Sequence, residues 1–282
     1  MNVKLASFLN KNENVPIAVK FKVVSACINS SLTYGCEAWG STPLNKIEIL
    51  QRKALKMVLN VSRNAANEVL YVESGFEMLK PAIYKRQLKF FRKMKNDCDN
   101  NPASPITAIF NEALRRNATF IRHYKKLDTT FATPDDCYNQ LVNDMKEQRR
   151  LKFEQSYIED EDSILGTYKR INPNLSTSTL YKGICCFERD RTIITRYRMG
   201  CHKLRIQTGR YGEEESERLG RLCSCEREVQ TIDHVLFACS LTERVRQAHN
   251  IRNETLDSFF NNEDFIRTAS VLRAIEKFIG IV

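Results

Sequence analysis

The pattern of apolar and polar positions along the chain is mostly that of helices. In the first hundred residues, apolar side chains recur every three or four positions in three segments, which is the period of an amphipathic helix. The first stripe precedes Gly35, and the second follows the helix-start signal Ser41-Thr42-Pro43. The three predicted stripes are Ile17, Phe21, Val24, Ile28 and Leu32; Ile47, Leu50, Ala54, Met57 and Val58; and Leu79, Ile83, Phe90 and Met94.

The rest of the chain continues this pattern. Residues 106–126 have helical spacing, a further helix is predicted before Gly200, and helical spacing returns from Phe259 to Ile281. The segments 97–105, 159–162 and 172–179 read as connections, and no internal repeat or long alternating strand pattern occurs. We therefore predict a mainly α protein with a helical bundle over residues 1–100, a helical connector over 101–180 and a third domain over 181–282.

Length and composition indicate a soluble intracellular protein. The chain has 282 residues, 42% of them hydrophobic, which is enough to build cores. No stretch approaches the roughly 20 apolar residues that a membrane span needs, so no membrane-spanning segment is expected. Ten irregularly spaced cysteines without a secretory signal suit reduced thiols. The predicted location is the nucleus or the cytoplasm.

The positive charge is concentrated in the first half of the chain. Residues 1–126 contain 21 Lys and Arg against 9 Asp and Glu, whereas residues 127–282 contain 23 against 25. A basic surface of this kind suits a polyanionic partner such as nucleic acid or an acidic membrane surface, and a solvated basic surface is the alternative. The segment Leu79 to Lys95 carries seven basic residues and no acidic one, which favours nucleic acid, and no membrane partner is predicted.

Basic side chains on the second and third helices form the first predicted nucleic-acid-binding face. They fall on different sides from the apolar stripes, where they would be exposed to a phosphate backbone. Trp39 and Tyr34 lie near this face, although a packing role suits the single tryptophan better than stacking on a base. The predicted contacts are Lys53, Lys56, Lys85, Lys89, Arg92 and Lys93.

A group of cysteines and one histidine lies in "LCSCEREVQTIDHVLFAC", residues 222–239. Cys223, Cys225, His234 and Cys239 are the residue types of a closed, structural zinc site. The first two thiols are only one residue apart, whereas the usual spacing is two to four. The spacing alone therefore leaves two interpretations open, a zinc site or ordinary buried thiols beside a histidine.

Catalytic motifs are absent from the sequence. It contains no Gly-rich phosphate loop, no nucleophile elbow and no helical paired-histidine motif. The acidic pair Asp135-Asp136 follows a proline, where its expected role is at the start of a helix. We therefore predict no catalytic residue and no magnesium site.

Two stretches resemble one known protein family. "SSLTYGCEAWG", residues 30–40, with its flanking segments is similar to the region that follows the polymerase palm in non-LTR (LINE-like) retrotransposon reverse transcriptases. "IITRYRMGCHKLRIQTGRY", followed by "RLCSCEREVQTIDHVLFACSLTERVR", is similar to the C-terminal part of that family, where an arginine-rich helix precedes a CCHC motif. The two matches occur in the family's order and together span residues 15–246.

The resemblance implies a thumb-like helical bundle, a helical connector and a small CCHC zinc-knuckle-like module. It places Cys223, Cys225, His234 and Cys239 as the zinc ligands, and it assigns Arg189, Arg196 and Arg198 to phosphate contacts on the arginine-bearing helix. The family's catalytic aspartates belong to a palm upstream of these motifs, and the chain contains no Tyr-x-Asp-Asp sequence. The resemblance therefore implies RNA or DNA binding without polymerase or endonuclease activity.

Three functional interpretations remain open at this point. The first is a nucleic-acid-binding C-terminal fragment of a non-LTR reverse transcriptase. The second is one piece of a full-length active reverse transcriptase, separated from its palm by truncation or frameshift. The third is a helical module whose basic faces bind acidic protein partners.

Overall fold

The structure is a computed structural model, and it describes residues 8, 15–39, 44–182, 187–209, 220–251 and 254–280. Within these ranges the protein is mainly helical, and the only extended pairing is an isolated antiparallel bridge between Leu222 and Val229. The predicted mainly α class is confirmed.

The described residues form fifteen α-helices and four shorter helical segments. The π-helical segments are Val24–Asn29 and His234–Ala238, and the 3₁₀ segments are Thr179–Tyr181 and Ser240–Thr242. The α-helices are α1 Ile17–Val23, α2 Ser30–Thr33, α3 Cys36–Trp39, α4 Leu44–Val58, α5 Asn67–Ser74, α6 Leu79–Asn100, α7 Pro105–Arg115, α8 Thr119–Thr130, α9 Pro134–Glu159, α10 Ile164–Ile171, α11 Glu188–Arg198, α12 Arg205–Thr208, α13 Glu243–Ala248, α14 Leu256–Asn261 and α15 Phe265–Phe278.

The chain divides into two compact units, each built from separated segments. Unit 1 consists of the described residues within 1–22, 52–76 and 150–282, and unit 2 consists of 23–51 and 77–149. The predicted boundaries after residues 100 and 180 differ from this division. Helices close in sequence contribute to different units, because their apolar faces pack against helices that come much later in the chain.

Helix α6 is the centre of unit 2, where it packs against α3, α7 and α8. Its buried residues Leu79 and Ile83 contact Cys36, Leu88 contacts Leu127, Phe131 and Cys137, and Phe91 and Cys98 contact Phe110, Ile121 and Tyr124. Trp39 packs at the edge of the first cluster, and its Nε1 donates to the carbonyl of Tyr34 at 2.9 Å. The expected packing role of the tryptophan is confirmed.

Two details of the predicted apolar stripes are wrong. Leu50 of α4 is exposed, whereas the neighbouring Gln51 is buried and donates from Nε2 to the carbonyl of Glu77 at 3.1 Å. Phe90 of α6 is 40% exposed, whereas Leu88 and Phe91 are buried. Because α6 packs against three helices, its buried surface is wider than one stripe and turned away from Phe90. The helix also extends into the predicted connection, residues 97–105, and ends at Asn100.

Unit 1 has its main helix pair in α11 and α15, and α14 packs against both α10 and α15. Ile194 and Tyr197 of α11, together with Leu272 and Ile275 of α15, belong to the buried core. The helix predicted before Gly200 is present, and the helical spacing predicted from Phe259 onward is divided between α14 and α15. No helix within the described ranges has both the length and the apolar character that crossing a membrane requires.

Candidate metal centre and basic surfaces

A tight hairpin positions the first two candidate metal ligands. The Leu222–Val229 bridge closes it, and the amide of Cys223 donates to the carbonyl of Glu228 at 2.8 Å. The amide of Glu226 donates back to the carbonyl of Cys223, also at 2.8 Å, and Glu226 takes a left-handed conformation with φ of 62°. This turn directs two thiols only one residue apart toward one point, so the short spacer is compatible with a metal site.

A short helical segment brings the other two candidate ligands to the same point. The backbone amide of His234 donates to Oγ1 of Thr231 at 3.1 Å, and this bond begins the π-helical segment His234–Ala238. Its last bond joins the amide of Cys239 to the carbonyl of His234 at 2.7 Å. The wide π turn places His234 and Cys239 on the same side despite their separation of five residues.

The four side chains form a compact cluster. Sγ of Cys223 lies 3.6 Å from Sγ of Cys239, and Sγ of Cys225 lies 3.1 Å from Nε2 of His234. All four ligand atoms lie within 4.8 Å of one another. A tetrahedral zinc ion with Zn–S bonds of about 2.3 Å holds its ligand atoms roughly 3.5–3.8 Å apart. The cluster is therefore close to zinc geometry, and its donor set suits zinc.

Two polar side chains outside the ligand set hold the ligands in place. Nδ1 of His234 lies 3.0 Å from Oε2 of Glu228, so Nδ1 carries the proton and Nε2 faces the thiols. This is the carboxylate–histidine arrangement that commonly supports bound zinc. The buried amide of Gln230 donates from Nε2 toward Sγ of Cys223 at 3.8 Å.

The local environment gives the two hairpin thiols, Cys223 and Cys225, different pKa values. Burial raises the pKa of Cys223 to about 11, with the Cys239 thiol contributing in the same direction. Burial also raises the pKa of Cys225, but hydrogen bonds from the Arg227 backbone and from the side chains of Cys223 and His234 outweigh it and lower that pKa to about 7. Cys225 is also the least buried of the four residues, so it is the thiol that most readily supplies a thiolate.

Hydrogen bonds connect the cluster to the rest of unit 1 on two sides. Oε1 of Gln230 accepts a hydrogen bond from the amide of Arg205 at 2.8 Å, and Nη1 of Arg205 donates to the carbonyl of Leu222 at 2.8 Å. On the other side, Nη1 of Arg246 donates to the carbonyl of Cys239 at 2.7 Å. The cluster thus anchors α12, which follows α11 in the chain, and α13.

Two basic segments far apart in sequence meet in unit 1. Nε of Arg196 on α11 donates to the carbonyl of Asn60, just beyond the end of α4, at 3.2 Å. The thiol of Cys201 lies 3.6 Å from Oγ of Ser62 in the same loop. The second half of α4, which carries Lys53 and Lys56, therefore lies beside the C-terminal end of α11.

Several basic side chains lie on the two segments that meet here. Arg189 and Arg196 are exposed and lie two turns apart on one side of α11. Burial raises the pKa of Glu276, and the nearby cations Lys203, Arg196 and Arg273, together with a hydrogen bond to Tyr197, offset part of that rise. We define the joined basic surface as Lys53, Lys56, Arg189, Arg196 and Lys203.

Two predicted phosphate-binding residues have structural partners in unit 1. Arg198 is 1% exposed and forms an ion pair with Glu73, so its assignment to phosphate contacts is corrected. A guanidinium that is both buried and paired cannot reach a phosphate without unfolding its surroundings. Lys56 is half-buried, and its Nζ donates to the carbonyls of Arg63 at 2.9 Å and Ala65 at 2.6 Å. Its contribution to the joined basic surface is therefore smaller than that of the exposed Lys53.

The four predicted basic residues of unit 2 fall into two pairs. Lys85 is bound to Asp135 at 2.5 Å, and Arg92 is bound to Asp128 at 2.6 Å. Arg92 also donates to the carbonyls of Phe131 and Ala132, so it terminates α8. Lys89 and Lys93 are exposed, and neither forms an ion pair with any residue that the structure describes. These two lysines remain free to bind a partner.

Sequence reasoning missed Glu228, Gln230 and Lys203. Glu228 and Gln230 lie between the ligands in the printed sequence, where a polar residue suggests a supporting contact, but only the fold shows which one is buried. Lys203 carried no periodic signal.

No protein-family model matches this chain, and neither a curated protein nor a solved structure matches it either.

Proposed function

We propose that this protein binds nucleic acid through the joined basic surface of unit 1, next to a structural zinc module. The observation that carries the proposal is the hydrogen bond from Arg196 to the carbonyl of Asn60, which joins two basic segments 136 residues apart. Lys53, Arg189 and Lys203 project from this region as exposed cations. A cluster of exposed Lys and Arg gains free energy by displacing the counterions of a phosphate backbone.

The metal has a structural role in this proposal. Cys223, Cys225, His234 and Cys239 would hold one zinc ion with no open position for a substrate, so the ion would cross-link the hairpin to the following helical segment. Gln230 and Arg205 connect the hairpin to α12, close to the end of α11. Metal binding should therefore stabilise the part of unit 1 that presents Arg196 and Lys203.

We further propose that the chain derives from the C-terminal, nucleic-acid-handling region of a non-LTR retrotransposon reverse transcriptase. The support is the resemblance of residues 30–40 and 193–246 to that family, together with a four-residue cluster whose order and geometry fit a CCHC site. On this view the chain grips RNA or DNA and performs no polymerisation itself. Its contacts would go to phosphates, so binding would tolerate many sequences.

The test measures binding of the full-length chain to labelled RNA, single-stranded DNA and duplex DNA by fluorescence anisotropy between 50 and 300 mM salt. With about three to four phosphates neutralised, log K should fall against log salt with a slope of roughly −2 to −4. Metal content is measured on the same preparation, and one zinc per chain is expected. Undetectable binding at low salt, or binding that does not weaken as salt rises, would contradict the proposal.

A further inference from the structure

Helix α6 exposes a large aromatic side chain where its neighbours are buried. Phe90 is 40% exposed, while Leu88 is 0% and Phe91 is 4% exposed. The two buried residues pack against α7 and α8, so Phe90 lies on the opposite side of a 22-residue helix. A single exposed phenylalanine is ordinary by itself. Its charged neighbours distinguish it.

Two exposed lysines lie close to Phe90 on the surface of α6. Lys89 precedes it, and Lys93 follows one turn later on the same side of the helix. Neither lysine has an ion-pair partner within the described part of the chain, whereas Lys85 and Arg92, on the flanks of the same helix, are neutralised by Asp135 and Asp128. Lys80 and Lys95 of α6 also lie outside any ion pair in that part of the chain, and Lys89 and Lys93 are the two unpaired cations nearest to Phe90 in sequence.

Arg86, one turn nearer the start of α6, is paired with Glu37 and therefore adds no uncompensated charge. Arg86 lies one turn before Lys89 and Phe90, and its side chain is 44% exposed. Its Nε donates to Glu37 at 3.0 Å, and its Nη1 donates to Oγ1 of Thr33 at 3.1 Å. These contacts fix the guanidinium while leaving part of it exposed. We define the α6 stripe as Lys89, Phe90 and Lys93.

We propose that the α6 stripe is a separate binding site for single-stranded nucleic acid, in which Phe90 stacks on an unpaired base and Lys89 and Lys93 bind the flanking phosphates. Cations select a polyanion, and an exposed aromatic ring selects one that offers free base faces. A duplex keeps its base faces stacked inside, so it can use the lysines but not Phe90. This inference rests on the proposed nucleic-acid binding but concerns a surface in the other unit.

The test compares Phe90→Ala with wild type in the full chain, using a labelled oligo(dT) of about 12 nucleotides and a duplex of the same length. Loss of one stacking contact should weaken oligo(dT) binding by roughly tenfold and leave duplex binding within about twofold. Phe90→Trp should preserve or strengthen oligo(dT) binding. The matched control is Phe120→Ala, because Phe120 is a similarly exposed phenylalanine, 38%, on α8 of the same unit.

Two further measurements isolate this site from the joined basic surface. Ultraviolet cross-linking of oligo(dT) followed by peptide mass spectrometry should identify the peptide that contains Phe90. Lys89→Gln with Lys93→Gln should weaken both probes and reduce the salt slope for oligo(dT) by about 0.7 per lysine. Circular dichroism confirms that each variant is folded.

The outcomes separate this inference from the proposed function. Equal loss of both probes in Phe90→Ala, or no loss greater than that of Phe120→Ala, overturns the stacking site while duplex binding by unit 1 still stands. Absence of binding to every nucleic acid overturns both. Binding to vesicles that contain about 30% phosphatidylserine, sensitive to Phe90→Ala and accompanied by no oligo(dT) binding, would instead identify the stripe as a membrane-binding surface.

Discussion

Arg198 forms a bidentate ion pair with Glu73 in the interior of unit 1. Its Nε donates to Oε1 at 2.7 Å and its Nη2 donates to Oε2 at 3.1 Å, across 125 residues of sequence. The hydroxyls of Tyr168 and Tyr181 donate to the same carboxylate at 2.6 and 3.0 Å. The carboxylate therefore connects α5, α10, α11 and the 3₁₀ segment Thr179–Tyr181, and Arg198 serves the core rather than a ligand.

Replacing one partner of this ion pair should strongly destabilise unit 1. Arg198→Met leaves the Glu73 carboxylate buried without its cation, and we expect a loss of about 3–5 kcal/mol in the free energy of unfolding. The measurement is urea-induced unfolding followed by circular dichroism. The double variant with Glu73→Leu should be less destabilised than Arg198→Met alone, because no uncompensated charge remains. A loss below about 1 kcal/mol in the single variant would contradict a structural role.

Supporting side chains should tune the affinity for zinc without abolishing it. Gln230→Ala removes the donor to Cys223 and the acceptor for the Arg205 amide, and Glu228→Gln weakens the orientation of His234. Each should reduce zinc affinity by about 10- to 100-fold, as measured by competition with a chromogenic chelator.

Variants of the candidate metal ligands should lose zinc altogether, unlike Gln230→Ala and Glu228→Gln, which should only weaken its binding. Cys223→Ser and His234→Ala should lose stoichiometric zinc, and the loss should lower thermal stability because metal binding is coupled to folding. Cys27→Ser is the matched control, since Cys27 is an exposed thiol outside the cluster and the variant should keep its zinc. Full zinc occupancy in both ligand variants would exclude the proposed site.

Charge reversal should show whether Lys53 and Arg196 act on one ligand. Each of Lys53→Glu and Arg196→Glu should weaken duplex binding and reduce the magnitude of the salt slope by about 0.9 or more. The double variant should lose at least the sum of these slopes. Arg244→Glu, a reversal at an exposed arginine outside the joined basic surface, is the control. Variants that bind as tightly as this control would place the interface elsewhere.

The stability of unit 2 should depend on pH through His123. Burial, assisted by nearby Lys126, lowers the pKa of His123, and its Nε2 lies 3.0 Å from Oε1 of the buried Gln87. The unfolded chain therefore takes up this proton more readily than the folded chain does. The contribution of neutral His123 to stability is fully present above about pH 6.5 and is lost as the pH falls from there toward the lowered pKa. His123→Gln should flatten the unfolding free energy measured between pH 7.5 and 5.5. If the pH dependence of stability is unchanged in His123→Gln, groups other than His123 cause it.

The apolar periodicity was sufficient to predict the helices but not their buried faces. The stripe that begins at Ile17 is helical as the spacing predicts, and the helical spacing from Phe259 onward is present but divided between α14 and α15. Leu50 and Phe90 fit the same spacing and are nevertheless exposed. Periodicity reports one stripe per helix, whereas the width and direction of the buried face depend on how many other helices pack against it.

The candidate metal site likewise combines features that the sequence predicts with features that only the fold shows. The identity of its four ligands could be read from residues 222–239, because those side chains are the ones that zinc binds. The short spacing between Cys223 and Cys225 left the site ambiguous, and the hairpin that makes this spacing compatible with one metal ion depends on backbone bonds such as that from Cys223 to Glu228. Neither the support from Gln230 nor its link to Arg205 has a sequence signal.

The helical class, the concentration of basic charge and the candidate ligand set follow from residue type and local spacing, so the sequence is enough to predict them. Which basic side chains stay exposed depends on the tertiary fold. Arg196 and Arg198 lie two positions apart, about 200° around one helix, so one faces solvent and the other faces the core. The core contains Glu73, which is remote in sequence, and a charge without a partner is too costly to bury. Ion pairing over such distances therefore determines which basic residues can bind a ligand.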